Sequence, residues 1–149
     1  MLAKIVEPLI EWYEENHRIL PWRASKNPYY IWISEIMLQQ TRVEAVRPFF
    51  ERFIKVLPKV EDVAVCPEEQ LLKLWEGLGY YNRVRNIQKA AVRIVEEYGG
   101  RLPADYEKLK ELPGIGNYTA GAVASIAYDL PVPAVDGNVL RVYARIMED

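Results

Sequence analysis

LPGIGNYTAGAVAS at residues 112–125, followed by PAVDGN at residues 133–138, is the stretch on which the reading of this chain turns. Gly114 and Gly116 flank a single apolar residue, Ile115, in a turn that calls for permissive backbone angles and lets another backbone come close. Asn117 is the expected N-cap of a small-residue helix over residues 118–128. The unpaired N–H groups and positive dipole end of such a helix point at an anion, so the hairpin is suited to hold a phosphate without a formal charge. Asp136 stands ahead of Gly137 and Asn138, where another helix begins.

Working outward, 149 residues make one domain, and a hydrophobic fraction of 50% is enough for a substantial core. A net charge of −2 and a pI near 5.6 argue against a protein that binds nucleic acid through overall charge, so any DNA face must be local. Arg83, Arg85 and Lys89 on one predicted helix, and Arg141 and Arg145 on another, are either that face or ordinary surface, whereas Glu14, Glu15, Glu96 and Glu97 read as solvated. Cys66 is the one cysteine, which excludes an internal disulfide or a cysteine-ligated metal cluster within this chain; it is expected to begin a helix ahead of Pro67. No basic leader precedes a long apolar run, and no apolar stretch approaches the roughly 20 residues of a membrane span. A soluble, intracellular protein of the cytoplasm or nucleoid, with no membrane partner, is expected.

Apolar residues at Leu2, Ile5, Val6, Leu9, Ile10 and Tyr13 predict an amphipathic helix over residues 2–16, with Pro8 marking its first turn. His17, the lone histidine, falls in a loop, and Asn27 and Pro28 form an N-cap and first-turn pair. Residues 29–40 are nearly all apolar and predict a helix buried on most sides; residues 41–57 continue helically, with Pro48 either a kink or a new start. Shorter helices follow at 60–65 and 67–76, the latter ended by Gly77 and Gly79. A long helix over 80–98 closes on Gly99 and Gly100, and Asp105 caps a short helix running to Leu112. An apolar stripe of Val139, Leu140, Val142, Tyr143 and Ile146 predicts a last helix from Asn138. No strand-like alternation persists, so the class is all-α, without repeats.

Two acids stand out. Glu35 is the only charged residue between Lys26 and Arg42. It either faces water from an otherwise buried helix, or is itself buried, in which case desolvation raises its pKa toward the range of a general acid. Asp136 is either a plain N-cap or an anion kept ionised at a helix start and suited to stabilising a cation. Taken together they divide the labour of one acid and one anion, as in glycoside hydrolysis.

Five blocks in order, LPW at 20–22, SEIMLQQT at 34–41, LWEGLGYYNRVRN at 74–86, LPGIGNYTAGAV at 112–123 and VDGNVLRV at 135–142, resemble the helix-hairpin-helix DNA glycosylases, and within them the adenine DNA glycosylases of the MutY family. The resemblance implies a six-helix lobe at residues 21–135 with the hairpin at 106–128. It also implies an N-terminal helix at 1–20 belonging to a second lobe, and the start of the helix carrying the catalytic aspartate at 136–149. It implies double-stranded DNA with adenine opposite 8-oxoguanine or guanine as partner, and a monomer. Glu35 matches the acid that protonates adenine N7, Asp136 the group that stabilises the sugar oxocarbenium ion, Tyr118 a tyrosine bonded to the acid, and Asn138 a helper beside it. Arg18, Leu20, Trp22 and Val43 match the base pocket; Gln40 and Tyr80 match residues that wedge into the duplex, with Gln39, Thr41, Gly114 and Gly116 on the DNA face. Leu20, Trp22 and Tyr80 are equally readable as core.

Endonuclease III-type relatives carry a lysine where this chain has Tyr118, so the resemblance implies base hydrolysis without strand cutting. Thymine-mismatch glycosylases and a non-catalytic DNA-binding module are the alternatives. The family's 4Fe-4S cluster is not expected within this chain, only in a longer parent, and the apolar face of the N-terminal helix is expected to lie exposed.

Overall fold

The computed structural model describes residues 3–147, and among them the chain is helical with no strand. The first helix, α1, spans Ala3–Asn16. It starts five residues ahead of Pro8 instead of at it, so Pro8 lies inside the helix, where its missing N–H leaves the Lys4 carbonyl without the usual i+4 donor. A 3-10 turn at Pro21–Arg23 leads to α2, Pro28–Met37. As expected, the Asn27 side chain accepts from the amides of Tyr29 (2.9 Å) and Tyr30 (3.4 Å).

Helix α2 is the centre of the molecule. Tyr29 and every residue from Ile31 to Met37 are buried. Its faces meet α3 (Val43–Val56), the 3-10 turn, and the later helix of the hairpin. It ends at Met37, earlier than the apolar run suggests, since Gln39 and Gln40 form a turn in which Gln40 takes a left-handed φ of 61°. Pro48 lies inside α3 without splitting it.

Helix α4 covers Val60–Val65 and packs on the long α6, Asn82–Tyr98; α5, Glu68–Trp75, bridges α3 and α6. Cys66 closes α4 and does not open α5, and burial pushes its thiol pKa up. Helix α6 begins two residues later than expected because Tyr80, at φ 51°, belongs to the preceding turn; Gly99 closes it in the left-handed conformation. The core is filled by Trp22, Trp32, Phe50, Phe53 and Trp75, with edge-to-face contacts between Trp22 and Phe50 and between Phe53 and Trp75. Truncating such side chains costs about 3–5 kcal/mol each.

Asp105 caps α7, Tyr106–Lys110, by accepting from the Lys108 amide at 3.0 Å. The hairpin then reaches α8, Asn117–Ala122. Gly116, not Asn117, is its N-cap, and no side chain caps it. A π-helical turn at Val123–Ala127 follows, and irregular chain over residues 129–136 delivers α9, Gly137–Met147.

Candidate active site

Glu35 sits in the last turn of α2 with 4% of its surface exposed. Of the two readings of this residue, burial is therefore the one realised. Burial raises its carboxyl pKa; Arg23 and a hydrogen bond with the Tyr118 side chain pull the other way, and Asp136 adds to the rise. The net direction is upward because desolvation of the anion outweighs its two partners. Tyr118, in the first turn of α8, is held protonated by the same surroundings, with its pKa pushed up to about 12 by burial and by the Glu35 charge.

Asp136 is an N-cap and also a residue of the cleft. Its Oδ1 accepts from the Val139 amide at 2.9 Å, which makes it the N-cap of α9, and its Oδ2 lies 3.5 Å from the Asn138 side-chain amide. Yet it also lines the cleft that holds Glu35 and Tyr118. What brings it there is Gly121, one turn along α8 from Tyr118. An added Cβ on Gly121 would stand 2.1 Å from the Pro133 carbonyl oxygen, so the chain before Asp136 lies directly on the α8 backbone. The π-helical turn, a geometry frequent at functional sites, redirects the chain into that path.

The cleft measures about 1050 Å³. Arg18, Leu20, Trp22, Val43, Gln39, Gln40, Thr41 and Asn138 line it beside Glu35, Tyr118 and Asp136. Leu20 and Trp22 are thus both core and cleft wall, Trp22 being 1% exposed. Tyr80 is not in this cleft; it lies on an adjoining cleft of about 480 Å³, which Gln39 and Gln40 also line. Gly114 and Gly116 line neither and stand in the turn ahead of α8. Gly114 needs its glycine at φ 77°, but Gly116 has φ −95° and open space around it, so only one of the pair answers to the turn's geometry.

Arg23 was missed by sequence reasoning. It directly follows the LPW block, but only folding turns it toward Glu35. Of the α6 basic residues read as either a DNA face or ordinary surface, Arg83 donates to five backbone carbonyls and Arg85 pairs with Glu68 at 2.9 Å. His17 is exposed and stacks on Tyr13. The chain's single cysteine and the lack, among the described residues, of any cluster of three potential metal ligands do not fit a four-cysteine iron–sulfur cluster within this chain. No helix among the described residues is long and apolar enough to cross a membrane.

A glycine hairpin feeding a helix start, beside a cleft that unites a buried glutamate and a helix-capping aspartate, defines the helix-hairpin-helix glycosylase fold. The chain belongs to the HhH-GPD superfamily of base excision DNA repair proteins, whose family model matches residues 33–148. It is similar to the adenine DNA glycosylase of Mus musculus, 46% identical over 147 residues that cover 93% of this chain and 28% of that protein. It is also similar to the adenine DNA glycosylase of Buchnera aphidicola subsp. Baizongia pistaciae, 44% identical over 140 residues, covering 93% of this chain and 40% of that protein. The chain therefore spans less than half the length of these curated relatives. Among solved structures, a thermostable thymine-DNA glycosylase superposes with a TM-score of 0.88 at 30% identity, covering 94% of this chain and 65% of that one. A non-covalent endonuclease III–DNA complex superposes with a TM-score of 0.83 at 29% identity, covering 99% and 69%.

Proposed function

We propose that this chain is the catalytic lobe of a monofunctional DNA glycosylase that hydrolyses the N-glycosidic bond of adenine mispaired with 8-oxoguanine or guanine in duplex DNA. The observation that carries the reading is the meeting of Glu35, buried and raised in pKa, with Tyr118 and Asp136 in one cleft. Glu35 enters the reaction protonated and gives its proton to adenine N7 as the C1′–N9 bond breaks and its electron pair leaves with the base. Asp136 stabilises the positive charge that develops on the sugar, and water adds to C1′, its proton passing to a carboxylate. Tyr118 orients the Glu35 carboxyl, and Asn138 bonds Asp136. Arg18, Leu20, Trp22 and Val43 form the base pocket, and Gln40 and Tyr80 fill the space left by the flipped nucleotide, flanked by Gln39 and Thr41. The uncapped start of α8, presented by Gly114 and Gly116, holds a backbone phosphate. The working species is a monomer.

The close superposition on a thymine-DNA glycosylase favours a second reading, the same chemistry on thymine. A panel of duplexes with adenine opposite 8-oxoguanine or guanine, and thymine opposite guanine, separates them. Release of adenine by the wild type, lost in Glu35→Gln and Asp136→Asn, supports the first; release of thymine alone replaces it with the second. Duplex binding that survives both substitutions, with no base released from any duplex, leaves a binding module and sinks both.

A further inference from the structure

Gln40 and Tyr80 both carry side chains in the left-handed region, at φ 61° and 51°, and both line the smaller cleft. Residues other than glycine persist there only where their surroundings over-determine them. One side chain does so for both. Arg83 Nη1 donates to the carbonyls of Ile36 at 2.7 Å, Gln39 at 2.8 Å and Met37 at 3.4 Å, while Nη2 donates to Leu78 at 3.3 Å and Gly79 at 3.4 Å. The last carbonyls of α2 have no partner inside their own helix, and a planar guanidinium offers donors in fixed, diverging directions. The same group lies over the rings of Trp75 (5.4 Å) and Tyr80 (5.5 Å), and the Trp75 indole N–H donates to Gly79 at 3.0 Å. The turn after α2 and the turn before α6 are thereby tied by a single fork.

We propose that Arg83 is a positioning residue that locks Gln40 and Tyr80 into one rigid wedge, and does not itself hold phosphate. The inference rests on the glycosylase reading for the use of the wedge, but the clamp itself is testable without DNA. Arg83→Lys keeps the charge and removes the fork; Arg83→Leu removes both. Hydrogen exchange of residues 36–41 and 77–81 is expected to accelerate together in both variants, with the centre of α6 unchanged. The second arm follows fluorescence of 2-aminopurine at the target position of a mismatched duplex. In Arg83→Lys the flipping rate is expected to fall on the order of 100-fold, the loss that a misplacement of about 1 Å produces. In a Gln40→Ala/Tyr80→Ala background the same substitution should add no further loss, because its effect runs through those side chains.

Exchange that loosens one turn or neither overturns the clamp, as does wild-type flipping by Arg83→Lys or a loss undiminished in the double-alanine background. Weaker binding of a fully matched duplex by Arg83→Leu but not by Arg83→Lys would make Arg83 a phosphate contact instead. A wild type that neither unstacks the duplex nor releases adenine, yet shows the exchange pattern, counts against the glycosylase reading alone and leaves the clamp standing.

Discussion

Glu35 is a charged residue type at a position where a charge is costly. Because its folded pKa is raised, the folded protein holds a proton that the unfolded chain has already released across the window from the ordinary glutamate range up to that raised value. Stability therefore falls as pH rises through the window. Glu35→Gln is expected to have a higher Tm than wild type above the window, with the difference closing as pH is lowered; a Tm series against pH measures it. The same substitution should cut base release by about 10²–10⁴-fold, the span of general acid catalysis, and wild-type release should decline as pH rises through the Glu35 titration. Tyr118 supports a second prediction. A lysine in its half-buried place would point an amine into the cleft beside Glu35. Tyr118→Lys is expected to form a borohydride-trappable adduct with the sugar and to nick the strand, read on a denaturing gel, whereas the wild type does neither.

At the scale of elements, α8 and the chain after it form the unit that sets Tyr118 and Asp136 side by side, and three glycines make different demands on it. A Cβ on Gly121 meets the Pro133 carbonyl at 2.1 Å, with backbone on both sides of the contact. Gly121→Ala is expected to cost about 3 kcal/mol or more and to lower base release even in the folded fraction, since Asp136 is displaced. Gly114→Ala strains a φ of 77° and brings a Cβ to 3.0 Å from that of Asn86, an expected loss of about 1–2 kcal/mol. Gly116→Ala, at φ −95° with nothing within 4 Å, should be close to neutral, because the unfolded-state gain of about 0.4–1 kcal/mol opposes the loss of a favoured N-cap residue. Urea titrations of the three variants rank them, and a loss at Gly116 equal to that at Gly121 would contradict this account. The G-x-G pattern drew attention to Gly114 and Gly116 in the sequence, but the glycine that positions the aspartate is the third, which local spacing does not distinguish from any small helical residue.

Across the whole molecule, the core among the described residues runs from Leu20 to Val132, and the two end helices stand apart from it. No side chain of α1 or α9 is buried; Leu9 is 54% exposed and Leu140 64%. The exposed apolar face expected of the N-terminal helix is thus present, except that Leu2 lies outside the described residues. Removing residues 1–16 is expected to lower stability by less than about 1 kcal/mol, a Tm change under about 4 °C at this chain length, measured by thermal melting. A collapse of the melt on that deletion would show that α1 is part of the core after all.

Much of this protein could be read before folding it. Glycines 99 and 114, the Asn27 and Asp105 caps and the 3.6-residue apolar period determine the all-α class and most helix boundaries, because those signals act over a few residues of backbone. Two of the misplaced boundaries, the end of α2 at Met37 and the start of α6 after Tyr80, are where tertiary contacts override local preference: Arg83 bonds carbonyls of the turn after α2 and of the turn before α6. The oddity of Glu35 was visible as a charge in an apolar run, but whether it faced water or the interior was not, since burial depends on which helices close over α2. Arg23, 12 residues before it, and Asp136, 101 residues after it and reaching it along the face of Gly121, were brought to it only by tertiary packing. Sequence pattern determines which groups carry unusual chemistry; only the tertiary structure decides which of them meet, because pKa and reactivity depend on neighbours brought together in space and not on spacing along the chain.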